Sequence, residues 1–492
     1  MLFNSIEFLL FLPIVFLFYW FVFDWFLSKS KHQLLLQNAF VVVVSYVFYG
    51  WWDWRFLILI AITSLCSWGS GVLMLKVGQT TDSPKQTKQR KIITTINIVL
   101  NLAILATFKY YDFFVTEFAK LFNFSADGLL LKVILPVGIS FYTFQALSYS
   151  IDVYRHKIEP TKDIFAFFAF LSFFPQLVAG PIERATNLLP QFLKKREFDY
   201  GKAVDGCRQI LWGLFKKVVV ADNCAIVVNQ IFDTYQDQSG GALLLGALFF
   251  AFQIYGDFSG YSDIAIGTAR LFGIRLMQNF KTPYFSRDIA EFWRRWHISL
   301  TTWFRDYVYI PLGGSRCSRL KIVRNTFVIF LVSGFWHGAN WTFIVWGVYH
   351  AFLFLPLILL GKNRKNTNIV AEGRVLPSLK EFLQILLTFG IVVIGWVIFR
   401  VKNISDVVVI FSKIFSFSVF SAFELDRKMY MRIVILLVFI LIEWFTREKK
   451  HPLESLERFC RFKIFRWGLY VSVVIFIFFS MGTPQPFVYF QF

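Results

Sequence analysis

Long apolar stretches separated by short basic loops are the feature that most constrains the fold of this chain. A helix needs about 20 predominantly apolar residues to cross the hydrocarbon core of a bilayer. The candidate spans, in chain order, are Ile6–Phe26, Leu34–Tyr49, Phe56–Leu75, Ile92–Phe108, Leu129–Ser150, Ile164–Leu177, Phe327–Trp346, Phe382–Phe399, Ile433–Phe445 and Trp467–Phe479. These stretches lack the alternating hydrophobicity of membrane β-barrel strands. The sequence therefore predicts an all-α, polytopic membrane protein.

The composition supports a membrane protein and argues against a nucleic-acid-binding one. Hydrophobic residues make up 57% of the 492 residues and charged residues 17%, whereas soluble domains are about a quarter charged. The net charge of +20 arises from basic residues in the loops between apolar spans, as expected of cytoplasmic loops. The five cysteines form no CxxC pair, so neither a metal site nor a disulfide framework is predicted.

The distribution of lysine and arginine predicts the orientation in the membrane. The loop Lys76–Lys91 contains five basic residues and one aspartate, and Lys362–Lys380 and Arg447–Arg466 are similarly basic. Loops rich in lysine and arginine stay on the cytoplasmic side. We therefore expect a multi-pass protein of the bacterial inner membrane with both termini extracytoplasmic.

The middle of the chain, Asp199–Arg324, contains apolar pieces that are short and interrupted by charge. Polar or non-helical backbone at membrane depth is tolerated where protein buries it or water surrounds it. We therefore expect re-entrant or half-crossing helices around a polar cavity. The whole chain, 1–492, is predicted to be one membrane-embedded domain, with spans in 1–130, the site in 131–350 and further spans in 351–492.

His337, in the segment SGFWHGAN, is the histidine set deepest in an apolar stretch. If Phe327–Trp346 is one helix, Ser333 and Asn340 share a face with this imidazole. An ionisable residue at membrane depth is a functional-site hypothesis, and a neutral imidazole can act as a general base toward a hydroxyl. The flanking glycines would admit a substrate or a neighbouring helix. The alternative is a histidine that is hydrogen-bonded between helices.

His297 lies in a second polar segment, FWRRWHISLTTWFRDYVYIPLGGSR. Helical spacing would place Trp293 and Thr301 next to its ring. Guanidinium groups suit phosphate or carboxylate binding, so this segment could hold a phosphate-bearing donor; alternatively, the arginines face lipid headgroups. The arginines concerned are Arg294, Arg295, Arg305 and Arg316. Asp257 and Asp263, in YGDFSGYSDIAIG, are expected to form structural ion pairs, and orientation of a histidine is the less favoured role for them and for Asp306.

Five segments carry a specific resemblance to the membrane-bound O-acyltransferase family, in particular to its alginate O-acetylating bacterial members. They are PVGISFYTFQALSYSIDVYR (Pro136–Arg155), FFPQLVAGPIERA (Phe173–Ala185), YGDFSGYSDIAIG (Tyr255–Gly267), FWRRWHISLTTWFRDYVYIPLGGSR (Phe292–Arg316) and VSGFWHGANWTFIVWG (Val332–Gly347). The opening MLFNSIEFLLFLP and the closing FVYFQF are also similar to this branch. The resemblance implies a ring of spanning, tilted and re-entrant helices around a central funnel. It also implies that His337 is the essential histidine and His297 the second one.

The implied function is transfer of an acyl group, expected to be acetyl, from a cytoplasmic donor across the membrane to an extracytoplasmic polysaccharide. The expected donor is acetyl-CoA or another acyl thioester, no cofactor is expected to be bound, and an extracytoplasmic acetyltransferase partner protein would complete the transfer. Trp336, Trp341 and Asn340 could donate hydrogen bonds to the oxyanion. Alternatives are acetyl or D-alanyl transfer to peptidoglycan, cellulose or teichoic acid. A proton-coupled transporter or flippase, and a structural scaffold, are the competing function classes.

Overall fold

The computed structural model describes residues 1–22, 32–78, 83–421, 426–454, 456–482 and 485–490, and all regular structure in these ranges is helical. The α-helices are Ile6–Leu17, Gln33–Gly50, Phe56–Val77, Pro84–Lys109, Tyr111–Leu121, Ile139–Tyr154, Ile164–Ser172, Phe174–Leu177, Ala185–Phe192, Tyr200–Leu214, Asp222–Phe232, Gly240–Leu271, Ile289–Arg295, Ile298–Phe304, Arg319–His337, Trp341–Leu359, Leu379–Arg400, Ile404–Ile414, Arg427–Phe445, Leu456–Phe459 and Lys463–Ser480. The same ranges contain three π-helices, Phe18–Val22, Phe215–Ala221 and Arg305–Tyr309. They also contain three 3-10 helices, Pro283–Phe285, Phe417–Phe420 and Val488–Phe490.

Seven helices of the described residues are long and apolar enough to cross a membrane, which confirms the predicted class of all-helical membrane protein. They are Gln33–Gly50, Phe56–Val77, Pro84–Lys109, Gly240–Leu271, Trp341–Leu359, Leu379–Arg400 and Lys463–Ser480. The helix Gly240–Leu271 contradicts the expectation that the middle of the chain contains no clean span. In the sequence, the carboxylates of this segment argue against a membrane span. In the structure, 83% of its apolar window is buried by protein, so these side chains do not face lipid.

One predicted span is also corrected, and another is described only in part. The segment Leu129–Ser150 is not one helix, because a helix begins at Ile139 after Pro136 and after Gly138, which has a positive φ of 74°. Proline and a left-handed glycine both interrupt helical backbone. At the amino terminus, Ile6–Leu17 continues into the π-helix as far as Val22, and residues 23–26 of the predicted first span lie outside the described residues.

The chain forms two compact units, the first made of Met1–Cys207 with Ala265–Met277, and the second of Arg208–Ile264 with Gln278–Phe492. In the first unit, buried polar side chains bond between helices: Trp20 Nε1 donates to the Leu271 carbonyl at 2.7 Å, and Asn97 donates to Ser150 Oγ at 2.6 Å. Such bonds are needed because lipid offers no alternative partners. The prediction of a single domain stays a prediction.

The second unit contains every histidine and arginine singled out from the sequence. Its short helices Ile289–Arg295 and Ile298–Phe304 have seven residues each, which is too short to cross a bilayer. The first begins with a cap, since Asp288 Oδ1 accepts a hydrogen bond from the Glu291 backbone N–H at 2.7 Å. Short helices therefore occur within the second unit, and a re-entrant or half-crossing position for them stays a prediction.

Candidate functional site

His337 lies at the end of a helix, and the prediction of one continuous helix over Phe327–Trp346 is wrong. The first helix ends at His337, Gly338 is extended with φ −170°, and the next helix begins at Trp341. Asn340 caps this second helix, its Oδ1 accepting from the Thr342 N–H at 3.0 Å, while its Nδ2 donates to the Lys402 carbonyl at 2.8 Å. Asn340 therefore does not share a helical face with His337. Asparagine is strongly favoured as a helix N-cap, so a new helix begins after Asn340 once Gly338 has interrupted the first one.

Close packing of these two helices explains the glycines around His337. A Cβ added to Gly334 would lie 2.2 Å from the Phe343 carbonyl oxygen, and one added to Gly338 would lie 2.2 Å from the Phe343 ring. Of the two roles considered for these glycines, the structure supports close helix approach. The helix break and the tight packing fix the position of the His337 backbone.

His297 lies between the two short helices, with a left-handed backbone at φ 42°, so the prediction of a helical environment for it is wrong. Its side chain is 1% exposed, and its Nδ1 lies 3.1 Å from Asn279 Oδ1. Ser299 Oγ also donates to Asn279 Oδ1 at 2.8 Å, and Asn279 Nδ2 donates to Ser262 Oγ at 3.1 Å. Asn279 thus organises the polar surroundings of this imidazole.

The hydrogen bonds around Asn279 assign the tautomer of His297. Because Asn279 Oδ1 is an acceptor, His297 Nδ1 carries the proton and donates it, which leaves Nε2 as the ring's acceptor nitrogen. His297 lies outside the seven membrane-spanning helices, and burial lowers its pKa to about 3. The imidazole is therefore neutral.

Aromatic rings connect the surroundings of the two histidines. The Trp336 ring centroid lies 4.9 Å from that of His337 and 6.0 Å from that of His297. Trp346 and Phe399 contact the His337 ring at 5.2 and 5.3 Å. Because these bulky groups are buried, they exclude water and fix the orientation of the His337 ring.

Both histidines line one cavity of about 440 Å3. Polar side chains on its wall include Ser333, Thr301 and Tyr309, and large apolar side chains include Trp293, Trp296, Phe304 and Phe330. Pockets of roughly 300–1,000 Å3 with few polar groups in an apolar wall are typical of small-molecule sites. The cavity can hold a small apolar group next to two imidazoles.

Of the four arginines predicted to bind the donor, two line the cavity and two do not. Arg294 and Arg305 line the cavity. Arg294 donates to the Asn363 and Asn366 carbonyls, and Arg305 pairs with Asp306 at 2.7 Å. Arg295 pairs with buried Glu291 at 2.8 Å, and exposed Arg316 is not among the lining residues.

The predicted carboxylates form ion pairs, as expected, and Asp306 does the same with Arg305. Asp257 lies 2.7 Å from Lys217 Nζ, and Asp263 lies 2.5 Å from Lys216 Nζ. Of the predicted oxyanion donors, Trp336 is buried beside both histidines, whereas Trp341 is 49% exposed.

Sequence reasoning missed three residues. Asn279 is an isolated asparagine in a charged segment, and no spacing relates it to His297. Arg364, which also lines the cavity, lies in a basic loop, and the predicted cytoplasmic side of that loop already accounted for its charge. Tyr489, whose ring lies 5.6 Å from that of His337, belongs to the closing FVYFQF, so the resemblance of that string was the available signal.

Comparison with known proteins identifies the family to which this chain is similar. The model of the membrane-bound O-acyltransferase family matches residues 115–399. A probable alginate O-acetylase AlgI of Pseudomonas aeruginosa is 40% identical over 430 residues, covering 87% of this chain and 77% of the relative. The corresponding Pseudomonas putida protein is 41% identical, covering 87% and 83%. A Helicobacter pylori peptidoglycan O-acetyltransferase is 34% identical, covering 82% and 78%.

The matched region contains both histidines, the cavity arginines and the helix break after His337. Both the family model and the relatives extend over most of the chain. The chain is an O-acyltransferase and belongs to the membrane-bound O-acyltransferase family.

Proposed function

We propose that this chain takes an acetyl group from acetyl-CoA on the cytoplasmic side and passes it across the bacterial inner membrane for O-acetylation of an extracytoplasmic, alginate-like polysaccharide. The observation that carries the proposal is that His337, His297 and three arginines line one and the same cavity. An imidazole supplies a base for a hydroxyl, and guanidinium groups bind the phosphates of a coenzyme A thioester.

His337 is the proposed general base. It accepts the proton of the attacking hydroxyl while that oxygen forms a bond to the thioester carbonyl carbon. The tetrahedral intermediate then collapses, the carbon–sulfur bond breaks, and the thiolate leaves and takes up the proton. General-base catalysis of this kind contributes typically about 10²–10⁴-fold. The aromatic wall supports this role because it keeps competing water away from the thioester.

His297 is proposed to orient the attacking hydroxyl, and Trp336 is proposed to act on the acyl carbonyl. With Nδ1 donating to Asn279, the neutral His297 ring offers Nε2 as an acceptor, which suits the orientation of a hydroxyl. The Trp336 indole N–H is a donor only, so it suits stabilisation of the oxyanion. Asn340 remains a predicted substrate-binding residue, although its side chain accepts from the Thr342 N–H of the second helix and donates to the Lys402 carbonyl.

Arg294 and Arg305 are the proposed donor-binding residues, and Arg364 joins them because it lines the same cavity. The Arg294 guanidinium is held by two backbone carbonyls, which orients it without neutralising its charge. A fixed cation of this kind suits a phosphate group. Roles for Arg295 and Arg316 in donor binding stay predictions.

The names of the relatives support an acetyl group and a cell-envelope acceptor. Two are alginate O-acetylases by name, at about 40% identity, and the third acts on peptidoglycan at 34%. We therefore place an alginate-like polysaccharide first and peptidoglycan second. An extracytoplasmic acetyltransferase partner, both termini outside and surrounding membrane lipid complete the proposal, the orientation being supported by the basic loops.

The test is ester-linked acetate on the surface polysaccharide of the wild type, a deletion strain and a His337→Ala strain. His350→Gln is the matched control, since His350 is equally buried in aromatic surroundings but does not line the cavity. Membrane-inserted protein is quantified in every strain. We expect acetate to be lost in the deletion and in His337→Ala, with the polymer still exported and the control retaining acetate.

Three outcomes would contradict the proposal. Normal acetate in His337→Ala rules out the assignment of the base. Acetate lost from peptidoglycan glycan strands, with the exopolysaccharide unchanged, favours the second acceptor. Loss of the exported polymer itself indicates a transporter or a scaffold.

A further inference from the structure

A second cavity of the second unit, with a volume of about 340 Å3, has an apolar wall. It is lined by the helices Gly240–Leu271, Leu379–Arg400 and Arg427–Phe445 and by the loops next to them, and we call it the apolar groove. Its lining residues include Phe252, Ile385, Leu386, Phe389, Phe439 and Leu441. The groove and the 440 Å3 cavity have no lining residue in common, so the groove is a separate site.

The aromatic residues of the groove wall bond their polar groups to protein. The Tyr255 hydroxyl donates to Glu443 Oε2, the carboxylate in the wall, at 2.6 Å. The Tyr284 hydroxyl and the Trp444 indole N–H donate to backbone carbonyls at 2.5 and 2.8 Å. A polar ligand would lose its own hydrogen bonds to water on entering such a site. The groove therefore suits an apolar chain.

The groove opens on a face of the protein that the bilayer covers. Leu386 lines the groove and is 50% exposed, and the lining residues Phe382 and Leu441 are exposed as well. Two of the three helices that line the groove are among the seven membrane-spanning ones. On one of them, Leu383 and Leu387 are exposed beside the opening, as lipid-facing side chains are. Acyl chains of membrane lipids therefore have direct access to the groove.

Basic residues lie at one end of the groove. Leu376 and Pro377 belong to the lining, and Arg374 and Lys380 flank them in the same loop. Both basic side chains are exposed. The neighbouring carboxylate Glu381 is paired with Arg374 at 2.7 Å, which reduces its repulsion of an anion. A negatively charged headgroup therefore fits this end.

The chain segments next to this end are also net positive. Lys362–Lys380 contains five basic residues and one acidic residue, and Arg447–Arg466 contains seven basic and three acidic residues. Clusters of lysine and arginine at a membrane surface attract anionic lipids. In the proposed orientation these segments are cytoplasmic, so the lipid would belong to the cytoplasmic leaflet.

The groove shares an aromatic wall with the acyl-transfer cavity. Tyr255 and Tyr284 line the groove, and their ring centroids lie 6.1 and 6.0 Å from that of Trp296, which lines the 440 Å3 cavity. On the groove side, the Phe389 ring lies 5.1 Å from the Tyr284 ring. Side chains lose packing contacts when the space beside them is empty. A chain that fills the groove therefore holds these rings against Trp296.

We propose that the apolar groove binds one acyl chain of an anionic phospholipid, with its phosphate next to Lys380, and that this lipid supports the shared wall of the acyl-transfer cavity. The apolar wall selects a lipid chain, the opening toward the bilayer gives it access, and the basic end selects a negative headgroup. Binding of the lipid is independent of the proposed function, whereas support of the cavity rests on it.

Lipid binding to the purified full chain in detergent tests the site without any acyl transfer. Phosphatidylglycerol is the anionic probe, and phosphatidylcholine with the same acyl chains is the comparison without net charge. Bound lipid per chain is counted by native mass spectrometry as the lipid concentration is raised. We expect one phosphatidylglycerol to bind with an affinity about fivefold or more above that of phosphatidylcholine, the effect of one basic residue at a membrane surface.

A neighbouring pair of leucines provides the matched test of the groove. Leu386→Trp places a larger side chain in the opening, whereas Leu387→Trp makes the same change one residue later, at a 66% exposed position that does not line the groove. We expect the affinity for both lipids to fall by about tenfold or more in Leu386→Trp, because overfilling a site excludes its occupant. Leu387→Trp should bind as the wild type does.

Two lysines test the position of the headgroup. Lys380→Gln should lower the affinity for phosphatidylglycerol by about fivefold and leave that for phosphatidylcholine unchanged. Lys428→Gln is the control, since Lys428 is also exposed but lies at the start of the helix Arg427–Phe445, whose last turns line the groove. Neither change affects a buried side chain, so both variants should fold.

Transfer of labelled acetate tests the support of the shared wall. Membrane vesicles are fused with liposomes of phosphatidylcholine, which dilute the native anionic lipid, or of phosphatidylglycerol. We expect dilution to lower kcat by about threefold or more in the wild type and in Leu387→Trp, with phosphatidylglycerol preventing the loss. In Leu386→Trp, kcat should no longer depend on the lipid.

Four results would overturn the inference. They are unchanged lipid affinity in Leu386→Trp, equal affinity for the two lipids, equal losses in Lys380→Gln and Lys428→Gln, and a kcat that does not respond to lipid in the wild type. A molecule other than a phospholipid retained in the groove would also contradict it. If the wild-type chain transfers no acetate, the proposed function fails and support of the cavity fails with it, while the binding result stands.

Discussion

The two histidines that line the cavity are held in different ways. His337 ends a long helix, and its ring is enclosed by aromatic neighbours, including Trp346 at 5.2 Å and Phe399 at 5.3 Å. His297 lies in a left-handed connection between two short helices, and its Nδ1 is hydrogen-bonded to Asn279. Packing fixes the orientation of the first ring, whereas a hydrogen bond fixes the tautomer of the second. This difference fits the proposed roles, in which His337 takes up and releases a proton as the base, whereas His297 keeps its proton on Nδ1.

Replacing each imidazole in turn should have the largest effect on activity and should reveal the difference between the two histidines. We expect His337→Gln to lower kcat by about 10²–10⁴-fold, the usual contribution of a general base, and His297→Gln to lower it less. The measurement is acetate transfer in membrane vesicles, normalised to inserted protein. Equal losses would show that the two rings share the role of the base.

Removing the hydrogen-bond partner of His297 should have the next largest effect. We expect Asn279→Ala to lower kcat by about tenfold or more. Loss of a buried hydrogen-bond partner costs roughly 1–3 kcal/mol, and without Asn279 nothing in its place fixes the proton on His297 Nδ1. Asn101→Ala is the matched control, because Asn101 is also fully buried and bonded to another asparagine but lies in the other unit. If kcat falls as far in Asn101→Ala as in Asn279→Ala, the loss reflects lower protein stability and not a change in the tautomer of His297.

A cavity arginine should affect donor binding and not the chemical step. We expect Arg294→Ala to raise KM for acetyl-CoA by about tenfold with little change in kcat, because a charge-assisted bond contributes roughly 1.5–3 kcal/mol. Arg316→Ala, at an exposed position away from the cavity wall, should leave KM unchanged. The opposite result would assign donor binding to Arg316 and not to Arg294, although the sequence predicted this role for both.

The smallest expected effect concerns the glycine packing behind His337. Gly334→Ala should lower thermal stability by about 1–3 kcal/mol, because its Cβ would meet a backbone carbonyl and not a flexible side chain. Gly390→Ala is the control, since nothing lies within 4 Å of a Cβ there and it also lies in a membrane-spanning helix. Unfolding is followed in detergent by a thiol-reactive dye; a stable Gly334→Ala protein would show that the two helices can separate at no cost.

The membrane class and the two histidines were predictable because their signals are local. Helix-length apolar stretches and histidines beside tryptophan and arginine are visible in short windows of sequence. The helix break after His337 was signalled by Gly338 and Asn340, but the apolar residues on both sides made one helix the simpler prediction. The 32-residue helix Gly240–Leu271 was hidden because its carboxylates are paired with lysines from another element.

Long-range partners could not be predicted for the same reason. Asn279 is 18 residues from His297, and Val488 is 231 residues from Asp257, so no periodicity relates either pair. Likewise, the sequence does not show which partner each arginine meets: Arg295 meets Glu291, while Arg294 meets backbone carbonyls. Charge alone does not determine these partners.

The most direct test of the central claim is an experimental structure with a non-hydrolysable thioether analogue of acetyl-CoA. The account predicts that the analogue occupies the 440 Å3 cavity, with its acyl end within hydrogen-bond reach of His337 and its phosphates near Arg294 and Arg305. An analogue bound outside this cavity, or bound with its acyl end away from both histidines, would contradict the assignment of the cavity as the acyl-transfer centre.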